Sequence, residues 1–197
     1  MRRGVVLMAV RPMGAAQPLS LTIVRIGQTP VRQGEPCAAV WRVETGLLSL
    51  DVIDAEGRTL FVDLAGPGDA LGFPEGVRAP WTATAWRPTR LVELDGADAE
   101  GAVAAQAARI TWVASTFAWF GVPERVHRRL ADVAERLGRP VPGGMQLPCA
   151  LTQEELASMV GASRETVNRA LMAMVRAGAI EVRGRGRYVV RTPLRLV

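Results

Sequence analysis

The stretch VGASRETVNRALMAM, residues 160–174, combines a glycine, a candidate helix cap and a helix with two distinct faces. Three residues, Gly161, Ala162 and Ser163, are predicted to form a turn, and Ser163 can cap the helix that follows. The spacing turns one apolar set inward: Val167, Ala170, Leu171, Met174 and Val175. The opposite face carries Arg164, Glu165, Asn168 and Arg169. Taken alone, this polar face could simply be solvated, with Glu165 and Arg169 paired at i, i+4.

The segment before the turn predicts a second capped helix. Thr152, Gln153, Glu154 and Glu155 form a capping box, in which a threonine and a glutamate three positions later satisfy each other's backbone amides. The helix that starts there would bury Leu156, Met159 and Val160 and end at Gly161. A capped helix, a short glycine turn and a second capped helix together indicate a helix-turn-helix.

A basic hairpin is predicted directly after these helices. The segment AGAIEVRGRGRYVVRTP, residues 177–193, indicates strands at 180–182 and 188–190 joined by a tight turn at 184–186. Arg183, Arg185 and Arg187 surround this turn. Three arginines at a hairpin tip could serve solubility alone. Beside a helix-turn-helix, however, they are expected to hold phosphate groups, as the wing of a winged helix does.

The charge of the chain is unevenly distributed. Residues 1–120 contain 11 arginines and 12 acidic residues, a net of −1, and residues 121–197 contain 13 arginines and 7 acidic residues, a net of +6. Every basic side chain is an arginine, since the sequence has no lysine. This asymmetry is expected if only the carboxy-terminal part meets a polyanion. An acidic protein partner would fit the same asymmetry, so charge alone does not separate the two hypotheses.

The amino-terminal half has the pattern of an antiparallel β-roll or barrel. Short β-type runs separated by glycine turns extend from about residue 21 to residue 94. One strand is predicted to end at Val43, with a turn at 44–46 before the next strand. A hairpin connection is predicted at 54–57 and a further turn at 66–69.

An apolar helix is predicted at 97–120, before Gly121 and Pro123 interrupt the pattern and a new helix begins. Its stripe suggests that it packs on a copy of itself as well as on the roll, through Val103, Ala107, Ile110, Ala114 and Phe117. We therefore expect a homodimer. The predicted fold class is α+β, with a β-roll at 1–96, a dimerisation helix at 97–120 and a winged helix-turn-helix domain at 121–197.

Few residues could carry catalysis or hold a metal. Cys37 and Cys149 are far apart and fit buried thiols, and the single histidine, His127, fits a solvated or capping role. A cupin-like metalloenzyme needs clustered histidines, and the roll region has none. We expect no enzyme activity, no metal and no cofactor. The basic and apolar start RRGVVLMAVRP lacks a clear cleavage site, so a cytoplasmic protein without a membrane partner is expected.

The stretch LTQEELASMVGASRETVNRALMAMVRAGAIEVRGRGRYVV, residues 151–190, closely resembles the DNA-binding domain of the CRP/FNR family of bacterial transcription regulators. The segments VRQGEPCAAVWRVETGLLSL, DAEGRTL and GPGDALG resemble that family's β-roll, in the same order. The resemblance covers about residues 21–190. It implies a homodimeric regulator that binds an inverted-repeat promoter site with TGTGA-like half-sites and has RNA polymerase as a partner.

The resemblance and the chemistry of the side chains suggest roles for individual residues. Arg164, Glu165 and Arg169 are predicted to contact base edges, since arginine matches guanine and glutamate accepts from cytosine. A second set is predicted to contact DNA phosphates: Thr152, Ser163, Thr166, Asn168, Arg183, Arg185 and Arg187. The alternative of a module that docks an acidic protein would leave the capped helices and the arginine wing as coincidence.

The sequence departs from the family at the cyclic AMP pocket. Members that bind cyclic AMP have a glutamate just after the GD-x-x-G motif and an arginine–serine pair further on. Here Phe73 follows that motif, and Arg78 is followed by Ala79. Ile110 and Thr111 stand where a threonine–serine pair would reach adenine. The cysteines and histidines of the iron–sulfur and haem branches are missing. We therefore predict independence of cyclic AMP, with a regulator gated by another small ligand in the roll as the alternative.

Overall fold

A computed structural model describes residues 20–191 of the chain, so the basic segment at the start lies outside the described residues. The chain forms two compact units, residues 1–112 and 113–197. The first is mainly an antiparallel sheet and the second is helical with a small sheet, so the fold class is α+β, as predicted. Among the described residues no helix is long and apolar enough to span a membrane.

The sheet of the first unit has five strands: β1 (Leu21–Val24), β2 (Val40–Ile53), β3 (Thr59–Ala65), β4 (Ala70–Gly72) and β5 (Thr82–Leu94). Their order is β1-β5-β2-β3, with β4 also paired to β2, and every pairing is antiparallel. The predicted connections at 54–57 and 66–69 are confirmed, since they join β2 to β3 and β3 to β4.

The predicted turn at 44–46 is wrong. β2 passes through this segment without a break, and its pairing with β5 shifts register three times between Val43 and Leu48. Such bulges bend a strand without ending it. Gly46 makes the bend possible, because it has φ 108° and a Cβ there would lie 2.3 Å from Thr89 Oγ1.

The core of the first unit is enclosed by the curved sheet. Side chains of alternate strand positions fill it, together with residues of the connections: Val24, Val31, Cys37, Val43, Leu48, Leu50, Ala65, Leu71, Ala79, Trp81, Ala83, Ala85 and Leu91. Cys37 is buried here, as predicted, and burial raises the pKa of its thiol. Cys149, in the second unit, is only half-buried.

Helix α1 spans Gly96–Trp119, within one residue of the prediction at each end, and contributes residues to both units. One side of it is buried through Gln106, Val113 and Thr116. Phe117 and Trp119, near its carboxyl end, are exposed. The division of the chain near Gly121 stays a prediction.

The second unit contains α2 (Val122–Leu137), α3 (Gln153–Val160) and α4 (Arg164–Arg176). A four-stranded antiparallel sheet accompanies them, in the order β6-β7-β9-β8. Its strands are β6 (Arg139–Val141), β7 (Gly144–Gln146), β8 (Ile180–Val182) and β9 (Tyr188–Val190). The predicted hairpin of β8 and β9 is confirmed, and so is the helix start at Pro123, which lies in the first turn of α2.

Candidate DNA-binding site

The turn between α3 and α4 has the predicted local chemistry. Thr152 caps α3 and forms the complete capping box with Glu155, and Ser163 caps α4 by accepting from the amide of Thr166. Gly161 is in the left-handed conformation, with φ 59°. The conformation favours glycine, and a Cβ at Gly161 would lie 2.9 Å from a ring carbon of Phe117, so the ring would have to shift to admit another residue. These contacts fix the start of α4.

The inward face of α4 is as predicted except at one position. Val167, Ala170, Leu171 and Met174 are buried. Val175 was predicted inward but is 39% exposed, because it lies one helical step beyond the centre of the buried stripe. It therefore borders a groove instead of the core.

The three predicted base-reading residues are all exposed at the amino-terminal half of α4. The guanidinium of Arg169 donates to Thr166 Oγ1 at 3.2 Å, and the Thr166 hydroxyl lies 3.1 Å from that of Ser163. Hydrogen bonds lower the pKa of the Glu165 carboxyl: the largest effect comes from its own backbone amide and the next from the Ser163 hydroxyl. The charges of Arg164 and Arg169 lower it further by smaller amounts. Glu165 is thus an acceptor at neutral pH, beside two cationic donors.

Two other predicted contact residues already have partners within the protein. Asn168 Oδ1 accepts from Gln153 Nε2 at 3.0 Å, which joins α4 to the first turn of α3. Because this bond uses the carbonyl of Asn168, its amide donors remain for a ligand. Thr152 Oγ1 accepts from the amide of Glu155 at 3.1 Å, so this hydroxyl caps α3 in the absence of DNA.

The tip of the β8–β9 hairpin presents two of its three arginines. Gly184 and Gly186 both have positive φ, 67° and 71°, and Arg185 projects between them. The carbonyl of Gly186 accepts from the amide of Leu151 at 2.8 Å, which ties the tip to the start of the helix-turn-helix. Arg185 and Arg187 are exposed, and neither forms an ion pair with another residue in the range 20–191.

Arg183 is engaged differently, a feature that the sequence analysis missed. Its guanidinium contacts the Glu181 carboxylate at 2.7 Å and the carbonyl of Pro142 at 3.1 Å. Arg191 binds the same carboxylate. The bonds from Arg183 and then Arg191 lower the pKa of Glu181 to about 2. Arg183 therefore stabilises the base of the hairpin, and the acidic residue two positions before it in the sequence was the available signal.

Helix α4 and the hairpin line one groove of about 680 Å³. On the helix side it is bordered by Asn168, Met172 and Val175, and on the hairpin side by Val182 and Arg185. The predicted reading helix and the predicted wing are therefore neighbours on one surface of the second unit.

The predicted dimer stripe on α1 is only partly covered within one chain. Ala107, Ala114 and Phe117 are exposed, whereas Val103 and Ile110 are half-buried. The guanidinium of Arg125 lies 5.2 Å from the centre of the Phe117 ring, a cation–π distance. Phe117 thus has a partner inside the second unit in addition to its exposed edge.

Two positions of the family's cyclic nucleotide segment pack against the core, and the arginine position is exposed. Ala79 is 3% exposed, and Phe73 packs on Trp81 with ring centres 5.6 Å apart. Arg78 is exposed and its guanidinium donates to the carbonyl of Gly34 at 2.6 Å. The segment pairs by backbone hydrogen bonds with residues 34–37, for example between the amide of Ala79 and the carbonyl of Glu35 at 2.9 Å.

This architecture, an antiparallel roll followed by a long helix and a winged helix-turn-helix, defines a class of DNA-binding proteins. A family profile described as a Crp-like helix-turn-helix domain matches residues 124–197, and one described as a cyclic nucleotide-binding domain matches residues 22–106. The chain is 31% identical over 177 residues to the CRP-like cAMP-activated global transcriptional regulator of Mycobacterium tuberculosis, covering 81% of this chain and 79% of that protein.

Solved structures show the same fold. FixK2 from Bradyrhizobium japonicum has a TM-score of 0.67 at 25% identity, covering 89% of this chain and 94% of that one. A CRP/FNR-family regulator from Thermus thermophilus has a TM-score of 0.68 at 24% identity, covering 86% and 92%. The chain belongs to the CRP/FNR family of transcription regulators. It is a DNA-binding transcription regulator and not an enzyme.

Proposed function

We propose that this regulator binds an inverted-repeat promoter site as a homodimer, reads G·C pairs with α4 and does so without cyclic AMP. The observation that carries this proposal is the capped, sterically fixed turn that presents Arg164, Glu165 and Arg169 on one exposed face. A major groove admits one helix, and the amino-terminal turns of that helix lie closest to the bases.

The chemistry of these three side chains supports base reading. Arginine presents a planar fork that matches O6 and N7 of guanine, and an ionised glutamate accepts from N4 of cytosine. The hydroxyl of Thr166 restrains the guanidinium of Arg169 before DNA binds. A restrained side chain loses less conformational freedom on binding, which supports specificity at this position.

Phosphate contacts are proposed for the residues that surround the reading face: Thr152, Ser163, Thr166, Asn168, Arg183, Arg185 and Arg187. Arg185 and Arg187 are the strongest candidates for phosphate contacts, because both are exposed and neither has to leave an ion pair in the described part of the chain. Arg183 would have to share its guanidinium with Glu181, so we assign it the weakest contribution of the three arginines.

Dimerisation is proposed through α1. Its exposed apolar positions, Ala107, Ala114 and Phe117, continue the stripe of Val103 and Ile110, and a second copy of the helix would cover them. Two reading helices held about 34 Å apart would then match successive major grooves on one side of the DNA. RNA polymerase as a partner and action in the cytoplasm follow from the resemblance to bacterial regulators and are proposed on that ground.

Independence of cyclic AMP is proposed although the Mycobacterium tuberculosis relative is named as cAMP-activated. This proposal is supported by the packing of Phe73 and Ala79 against the core and by the hydrogen bond that Arg78 donates to the carbonyl of Gly34. A ribose needs an acceptor, which Phe73 does not supply, and a cyclic phosphate needs hydrogen-bond donors, of which Ala79 supplies none and Arg78 has one engaged by Gly34.

The test is a DNA titration of the full-length chain, followed by fluorescence anisotropy. An inverted repeat of TGTGA-like half-sites and a scrambled duplex are compared over a salt series, each with and without cyclic AMP. The proposal requires tighter binding to the inverted repeat, unchanged by the nucleotide. Equal binding to both duplexes would refute specific recognition, and a gain in affinity on adding cyclic AMP would refute independence.

A second candidate, a regulator gated by another small ligand, is favoured by one specific observation. The first unit contains a cavity with a buried, unsatisfied polar atom, Oε1 of Gln106.

A further inference from the structure

A side-chain hydrogen bond joins α3 to α4 beside the predicted reading face. Gln153 Nε2 donates to Asn168 Oδ1 at 3.0 Å. Gln153 is the first residue of α3, directly after the Thr152 cap, and Asn168 lies on α4 between the predicted base readers Glu165 and Arg169. Gln153 is half-buried, whereas Asn168 is exposed. The bond therefore restrains an exposed amide group from the neighbouring helix.

The backbone on each side of this bond is held in place. The capping box of Thr152 and Glu155 fixes the first turn of α3. On α4, Val167 directly precedes Asn168 and is fully buried, so the helix cannot rotate without exposing an apolar side chain. The two amide groups are therefore held within reach of each other before DNA binds.

This bond decides which side of the Asn168 amide is left for DNA. An asparagine amide has one acceptor, Oδ1, and two donors on Nδ2, and an unrestrained asparagine uses both kinds of group in a bidentate contact with adenine N6 and N7. In this chain Oδ1 points at the first turn of α3, so Nδ2 remains. An N–H donor matches the acceptors of guanine, thymine O4 and phosphate oxygens, but it does not match the donor and acceptor pair of adenine.

We propose that Gln153 is a positioning residue for Asn168, which holds Oδ1 toward α3 and turns Nδ2 toward a hydrogen-bond acceptor of the DNA. The acceptor is a phosphate oxygen, as proposed above for Asn168, or the edge of a guanine or thymine. Both sources take the same N–H donor, and the experiment below separates them. Gln153 acts through Asn168 and does not itself bind DNA. The inference rests on the proposed function, because it requires that α4 enters the major groove.

The orientation of the amide is measured without DNA, from the side-chain amide signals of the ¹⁵N-labelled full-length chain. Asn168→Asp keeps an acceptor opposite Gln153, whereas Asn168→Leu removes it. The Nε2 signals of Gln153 should therefore keep the shifts of a bonded amide in Asn168→Asp and move to those of a solvated amide in Asn168→Leu. In the reverse pattern, Asn168→Leu leaves these signals unchanged and Asn168→Asp shifts them. That result would show that Asn168 is the donor, and it would overturn the proposal.

A double-variant cycle tests whether Gln153 acts through Asn168. Asn168→Leu should weaken binding to the inverted repeat about three- to tenfold, as expected for one neutral hydrogen bond. Gln153→Leu should weaken it less, because Nδ2 stays available but loses its fixed orientation. The double variant should bind no more weakly than Asn168→Leu alone. A further loss in the double variant would show that Gln153 contacts DNA directly, which contradicts a positioning role. Gln146→Leu, at another half-buried glutamine of the second unit, is the control and should leave the affinity unchanged.

Base preference separates the two sources of the acceptor. If Nδ2 donates to a base, Gln153→Leu should free Oδ1 and raise the tolerance for adenine at one half-site position. If Nδ2 donates to a phosphate, Gln153→Leu and Asn168→Leu should each weaken the inverted repeat and the scrambled duplex alike. In both cases Asn168→Asp should bind more weakly than Asn168→Leu, because a carboxylate would then face an acceptor. Binding of Asn168→Asp at wild-type strength would mean that the DNA offers a donor at this place, and the proposal would be wrong.

The two measurements fail separately. The expected amide signals in a chain that binds both duplexes equally would refute the proposed function and leave the orientation of Asn168 standing. Specific binding to the inverted repeat together with the reverse pattern of amide signals would overturn this inference and leave the proposed function standing.

Discussion

Replacing Gly161 with alanine should destabilise the second unit through two separate effects. The residue has φ 59°, a left-handed conformation that costs a residue with a Cβ about 1–2 kcal/mol, partly offset by a less flexible unfolded chain. The new Cβ would also lie 2.9 Å from Phe117 Cε1. Overpacking of a well-packed core costs about 1–3 kcal/mol, and because the Phe117 ring is partly exposed and can shift, the low end, about 1 kcal/mol, is expected. The expected total is therefore about 2–3 kcal/mol.

Gly178→Ala is the matched control, because Gly178 has φ 71° and a Cβ added there would meet no atom within 4 Å. It should lose only the conformational part, about 1 kcal/mol, which lowers the Tm by about 5 °C in a unit of this size. Gly161→Ala should lower the Tm at least about twice as far. Thermal unfolding followed by far-UV circular dichroism measures both.

The contribution of Phe117 can be separated with a double variant. In a Phe117→Leu background the ring is gone, so Gly161→Ala should then cost no more than Gly178→Ala. Equal losses for the two glycine variants in the natural background would show that contact with Phe117 does not fix the turn, and the steric part of the reasoning would be refuted.

Three further outcomes are expected. Ala114→Glu should place two charges in the proposed α1 seam and yield monomers in sedimentation, whereas Ala108→Glu, exposed on another side of the helix, should stay dimeric; an unchanged Ala114→Glu species would show that the seam is elsewhere. Calorimetry with cyclic AMP should show no saturable heat, and a micromolar affinity would contradict the account of the pocket. The Glu181 carboxyl should titrate near pH 2 by NMR, because Arg183 and Arg191 lower its pKa. Since this pKa lies below the ordinary value of 4.5, the ion pairs of Glu181 stabilise the folded chain fully above about pH 4.5. This stabilisation is lost as the pH falls toward 2. A titration near the ordinary value would contradict the ion pairs.

Local chemistry made the helix-turn-helix predictable from sequence. The caps at Thr152 and Ser163 and the glycine at 161 act over three or four residues, and each appears in the structure as predicted. The turn at 44–46 was mispredicted because a glycine with positive φ serves a bulge as well as a turn. Only the long-range pairing with β5 distinguishes the two, and that pairing has no local signature.

The net charge of the basic half predicted the site residues less well than the local motifs did. Several arginines of the basic half are used within α2 and not on the predicted DNA surface. Arg128 lies 3.9 Å from the centre of the Phe120 ring and pairs with Glu124, and Arg129 is 1% exposed. The pairing of Arg183 with Glu181 has the same effect at the wing. Net charge indicates that the binding partner is an anion. The contacts of each arginine within the protein determine which guanidinium groups are available to that anion.

Two arginine variants test the central claim, that α4 reads bases while the hairpin tip holds the backbone. Arg169→Ala should cost about 1–3 kcal/mol on the inverted-repeat site, relax preference at one base pair and leave scrambled DNA nearly unaffected. Arg185→Ala should weaken binding to both duplexes alike and reduce the salt slope by about one unit. Both variants are to be measured by anisotropy on both duplexes over one salt series. If Arg169→Ala loses equal affinity on specific and scrambled DNA, α4 contacts only the backbone and the claim is contradicted.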